Sequence, residues 1–165
     1  MRRLIDAALA GSRPSTLAFG DEVTEARASI EGLDVADGLR AGLWLLHDFM
    51  DQAHGIVQDI DTTGAAYWHA IVHRREPDAG NAAYWYARVA EHPIFAELAR
   101  DAAAILVGHP ALAGIVAGGR FHARRFIDLA TASRPPASAA HQALLALQRR
   151  EWELLFDHEW SLAKG

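Results

Sequence analysis

The sequence predicts an all-α fold, a bundle of about five to seven helices built from helical hairpins. Three observations carry this reading. Apolar residues recur every third or fourth position, as in Leu39, Leu43, Leu46, Met50, Ala53 and Val57, the stripe that a helix turns toward a core. No segment alternates apolar and polar residues as a half-buried strand does, and β-branched residues are sparse. Capping and breaking residues stand between the periodic stretches, leaving connections of about two to six residues.

The elements follow in order. Residues 1–33 form a less regular N-terminal segment, in which Met1 to Ala10 and Glu22 to Glu31 read as short helices. Asp34 caps a helix from about Val35 to Asp59. Thr62 or Thr63 caps the next, which stops before Pro77. Asp78 opens a third, from Ala79 to about Ala90, closed by His92-Pro93. A fourth runs from Ile94 to Val107 and ends at Gly108-His109-Pro110. A fifth covers about Ala111 to Thr131, bent at Gly118-Gly119, before the stop at Arg134-Pro135-Pro136. Ser138 caps a long last helix that reaches about Leu162. Its face of Leu144, Gln148, Trp152, Leu155 and Glu159, with Leu145 and Phe156 beside it, packs inward, and Trp152 and Trp160 anchor it. No linker divides 34–165, so 1–165 reads as a single helical domain.

Composition sets the outer limits. The chain has 165 residues, 51% of them hydrophobic and 22% charged, which suits a globular core without metal or disulfide staples. It has no cysteine, which excludes a disulfide framework, a thiolate zinc site and a cysteine nucleophile. Asp6 interrupts the apolar stretch after Arg2-Arg3, so no signal peptide is read there. No apolar run is long enough to span a membrane. A cytoplasmic protein with no membrane partner is expected. The net charge of −5 argues against nucleic acid as a partner, and the cluster Arg120, His122, Arg124 and Arg125 reads as a solvated face. Lys164 is the one lysine among 16 basic residues; with the high alanine content this points to a GC-rich bacterial genome.

Nine histidines are present, and His47, His54, His69 and His73 fall on two consecutive predicted helices. At about 100° per residue, His47, Asp51, His54 and Gln58 form one stripe with Arg40 on the same arc. That stripe borders the apolar one, while Asp48, Gly55 and Asp59 face solvent. On the next helix His69, His73 and Glu76 share a face. Packed antiparallel, the two stripes would gather four imidazoles and one or two carboxylates. Imidazole and carboxylate suit a divalent transition metal such as zinc, iron, manganese or nickel, so His47, Asp51, His54, His69, His73 and Glu76 are the candidate ligands. Asp51-x-x-His54 has the spacing of carboxylate–histidine pairs in helical bundles. The double Glu-x-x-His pattern of di-iron bundles and the H-E-x-x-H zinc signature are absent.

Two other readings stand beside the metal. Arg40, Arg74, Arg75, Asn81 and Trp85, with His69, His73, Tyr84 and Tyr86, would form a pocket for a small anionic molecule, guanidinium groups matching carboxylate or phosphate. Alternatively the histidines are purely structural and the chain is a helical protein–protein interaction module. Trp44, about 160° from the core stripe, is then a candidate contact or the anchor of a homodimer. No nucleophile elbow, P-loop or dinucleotide fingerprint occurs, so whether the protein is an enzyme stays open.

The stretch Tyr67-Trp68-His69-Ala70-Ile71-Val72-His73-Arg74-Arg75-Glu76-Pro77-Asp78, followed by Asn81-Ala82-Ala83-Tyr84-Trp85-Tyr86 and His92-Pro93, resembles the central signature of an uncharacterised bacterial all-helical family. Leu46-His47-Asp48-Phe49 and Glu151-Trp152 fit the same pattern, so the resemblance covers roughly residues 40–160 and implies a complete unit. No assigned activity comes with it. The segment from Asn81 to Ala90 is also similar to the second helix of tetratricopeptide and Sel1-type repeats, with Ala82, Tyr86 and Val89 at packing positions. No second copy recurs at the repeat period.

Overall fold

The computed structural model describes residues 16–132 and 136–164. Within them the chain is mostly helical, a helical bundle with one small two-stranded sheet. Helix α1 is Arg27–Glu31, α2 Asp37–Leu46, α3 Met50–Val57, α4 Thr63–Arg75, α5 Ala79–Val89, α6 Phe95–Ile105, α7 Ala123–Thr131 and α8 Ala139–Leu162. These are eight α-helices among the described residues, slightly more than the sequence suggests. The helix expected over Met1 to Ala10 lies outside the described residues.

Two differences from expectation have local causes. The first concerns the long helix predicted from Val35 to Asp59. It begins at Asp37 with Ala36 as its N-cap, and it is interrupted between α2 and α3. Asp48 sits at φ 65° in the break, a left-handed conformation that aspartate tolerates better than most residues. Its carboxylate pairs with the buried guanidinium of Arg75, which also donates to the carbonyl of Leu45 at 2.6 Å. Asp48 is therefore buried and does not face solvent. The same break folds Phe49 back against Trp44, ring centroids 5.0 Å apart. Trp44 is only 4% exposed, so the surface contact expected of it is filled from within the chain.

The second difference is the bent helix predicted from Ala111 to Thr131. Gly118 and Gly119 have φ of 57° and 74°, the positive pair that a tight hairpin turn requires. They join strands β1 (Val116–Ala117) and β2 (Arg120–Phe121), paired antiparallel with Ala117 opposite Arg120. Pro110–Leu112 is a 3₁₀ turn, and α7 starts only at Ala123.

The other boundaries follow the capping chemistry. Thr62 accepts from the Ala65 amide, Asp78 from Asn81 and Ser138 from His141, each satisfying one orphan donor of a first turn. The expected short helix near Glu22 to Glu31 is a 3₁₀ turn, Thr24–Ala26, running into α1.

Helix α4 is the centre of the bundle. It packs against α2, α3, α5 and α7, and every residue from Gly64 to Arg75 is buried. Polar groups on such a helix must find partners inside the protein. Close approach is helped by Gly42 on α2, where an added Cβ would lie 2.9 Å from Cζ2 of Trp68. The Gly42 carbonyl accepts from Nε1 of Trp152 on α8 at 2.8 Å, the anchoring expected of that tryptophan.

Candidate metal centre

His69 and His73 lie one turn apart on α4, so their rings project from the same side. His54, in the last turn of α3, reaches them across the α3–α4 contact. The ring centroids of His54 are 4.7 Å from those of His69 and 5.0 Å from those of His73, while His69 and His73 stack at 4.8 Å. One ring nitrogen from each of the three histidines lies within 4.8 Å of the others. Nε2 of His54 and Nε2 of His69 are 3.0 Å apart. Two nitrogens on one tetrahedral zinc are separated by about 3.3 Å, given Zn–N bonds of about 2.0–2.1 Å. The His54 and His69 nitrogens thus need to part by a few tenths of an ångström, while a pair as wide as 4.8 Å would need to close around the ion.

Glu76 is the C-cap of α4, and its carboxylate stands behind two of the rings. Oε2 is 2.9 Å from Nδ1 of His73 and Oε1 is 3.5 Å from Nδ1 of His54. The angle at His73 departs from hydrogen-bond geometry, so the carboxylate lies beside its Nδ1 without accepting a hydrogen bond from it. A carboxylate at Nδ1 favours Nε2 as the coordinating atom, the usual arrangement behind metal-bound histidine.

The third ring has a different setting. His69 stacks on the indole of Trp85, centroids 4.0 Å apart and planes within 20°. It is 3% exposed, and its Nδ1 is buried without a hydrogen-bond partner among the described residues. Burial, with His54 and His73 beside it, lowers its pKa to about 4. A neutral imidazole is the form that binds metal. The site is not sealed: the side chains of His54 and Glu76 are 32% and 22% exposed.

The remaining sequence candidates lie elsewhere. His47 is buried at the C-terminal end of α2, its carbonyl accepting from the Val23 amide, and is not part of the cluster. Asp51 is exposed in the first turn of α3 and is likewise outside it. The stripe linking His47 to Asp51 and His54 assumes an unbroken helix, and the turn at Asp48 changes the register between His47 and α3; Asp51 keeps its helical spacing from His54 within α3 but stays outside the cluster. Arg40 donates to the carbonyls of Ile30 and Leu33 at 3.0 and 2.6 Å, closing the end of α1. Arg75 is held by Asp48, Leu45 and Ala18. Asn81 is exposed and bonded to Asp78. The guanidinium groups therefore do not converge on one anion pocket.

Arg74 belongs to a buried network that sequence reasoning missed. Its Nη2 is 2.6 Å from Oε2 of Glu151, and both side chains are wholly enclosed. Nη1 donates to the Tyr86 hydroxyl at 2.8 Å, and Tyr67 and Tyr86 both donate to Oε1 of Glu151. Burial and the adjacent carboxylate hold both phenols well above their ordinary pKa. The one sequence signal was an arginine in a helix otherwise set for burial, which demands a buried partner.

The chain matches no family model, no curated protein and no solved structure. The functional reading rests on the geometry of the three imidazoles.

Proposed function

We propose that this protein binds one divalent transition-metal ion through His54, His69 and His73, with Glu76 orienting the rings of His54 and His73. The observation that carries this is the convergence of one ring nitrogen from each histidine to within 4.8 Å. Three neutral imidazoles suit zinc or nickel better than harder ions that favour oxygen ligands. The buried Nδ1 of His69 has no hydrogen-bond partner among the described residues, and an unsatisfied buried ring nitrogen in the cluster supports a ligand that the protein's own side chains do not supply. Among the described residues no helix is long and apolar enough to cross a membrane. We take the setting to be cytoplasmic, with no nucleic-acid partner at a net charge of −5.

The test is metal content of tag-free protein by elemental analysis, followed by zinc titration calorimetry. One ion per chain is expected, lost in His69→Ala and in His54→Ala. Glu76→Gln should keep the site but weaken it about 10–100-fold. Failure of the folded wild-type protein to bind zinc, nickel or cobalt would return the histidines to a structural role.

A further inference from the structure

We infer that the ion held by His54, His69 and His73 keeps an exchangeable position, open to a small monoanion arriving past His54; this rests on the metal reading above. Among the described residues only these three side chains converge with ligand atoms. Glu76 does not supply a fourth, because its two oxygens face Nδ1 of His73 and Nδ1 of His54. On an imidazole ring Nδ1 and Nε2 point in divergent directions, so a carboxylate at Nδ1 stands on the far side from an ion at Nε2. Three protein ligands and one open position is the arrangement of a reactive zinc site, whereas structural sites close with four.

Burial gives the direction of access. His69 and His73 are 3% and 8% exposed, and the Trp85 indole covers one face of His69. The His54 side chain is 32% exposed. The entry therefore lies on the α3 side. Charge gives the class of ligand. A dication with three neutral imidazoles carries two positive charges, and the Glu76 carboxylate offsets one. The remaining charge favours a ligand of single negative charge, or a carbonyl oxygen that the ion polarises.

Cobalt(II) in place of zinc makes the coordination number visible. The full chain is loaded with cobalt, and its visible absorption is followed during titration with azide. The expected result is a saturable shift of the d–d bands, with unchanged cobalt content. Cobalt bound with a spectrum that azide leaves unmoved overturns the open position and leaves the metal site standing. A response seen only in Asp51→Ala also overturns it, since Asp51 would then be the fourth ligand. Absence of cobalt uptake by folded protein removes the metal reading itself and this inference with it.

Discussion

Oε2 of Glu151 receives Nη2 of Arg74 at 2.6 Å, with neither side chain open to solvent. This pair joins the central helix α4 to the last helix α8. Desolvation opposes it, while the two tyrosine hydroxyls and the opposite charge hold it. Glu151→Gln leaves the Arg74 charge without its counter-ion and should destabilise by about 3–5 kcal/mol. Urea unfolding measures this. The double replacement Arg74→Met with Glu151→Leu should cost less than Glu151→Gln, because no charge is then stranded. A single change of under about 1 kcal/mol would mean that the pair is not buried as described.

The Glu159 carboxylate lies against the first turns of two helices at once. An added Cβ on Gly64 of α4 would collide with Oε1 of Glu159, and one on Gly38 of α2 would stand 2.9 Å from its Oε2. The two helix N-termini present amide donors and positive dipole ends, although burial raises the pKa of Glu159. Gly64→Ala pushes aside the far end of the half-buried Glu159 side chain and should therefore forfeit most of the usual gain of about 0.5–1 kcal/mol for such a change inside a helix. Adding Glu159→Ala should restore most of that gain, a coupling that a double-mutant cycle in urea reads directly.

Arg40 separates an anion ligand from a structural clamp. Its guanidinium closes the carbonyl end of α1 through Ile30 and Leu33. Arg40→Ala should lower stability by about 1–3 kcal/mol and leave zinc affinity within about twofold, the effect on a distant site being small. Zinc binding lost in a folded Arg40→Ala protein would place the arginine in the site after all.

Acid should weaken the metal-free fold through two histidines. Burial, with His158 nearby, lowers His92 to about 4, and burial with its neighbours lowers His69 to about 4, both from 6.5. The unfolded chain takes up these protons below 6.5, while the native chain resists them down to about 4. The unfolded state thus binds more protons over that window, so the stability present above 6.5 is lost progressively as the pH falls toward 4. Each kcal/mol lost lowers the melting temperature by about 2–4 °C in a chain of this size. His92→Asn, which keeps an acceptor for the Ile94 amide, should flatten the profile. Calorimetry from pH 8 to 4 gives the comparison, and identical slopes would remove His92 as a contributor.

Zinc should protect the protein most where its ligands are deprotonated. Saturating metal at 100 times its dissociation constant stabilises by about 2.7 kcal/mol, and the increment should shrink as acid protonates the free imidazoles. Melting curves with and without zinc at pH 7.5 and 5.5 test this. An increment that survives in His69→Ala would assign the stabilisation to another site.

By itself the sequence determined the helical class, most helix ends and the shared face of His69 and His73. Those properties are local or periodic: Thr62, Asp78 and Ser138 cap the helices that follow them, and His69 and His73 share a face because one turn separates them. Tertiary structure alone decided which polar residues belong to the site. A left-handed residue at Asp48 re-registered everything before α3, detaching His47 from the stripe that contains His54. The fates of Arg74 and Arg75 were fixed by Glu151 and Asp48, 77 and 27 residues away, which no local pattern encodes. Gly118-Gly119 carried its meaning in plain view, since two glycines suit a turn of positive φ, but helical periodicity on both sides masked it. Periodicity records which face of an unbroken element meets the core; it does not record where the element breaks, or which distant charge will neutralise a buried one.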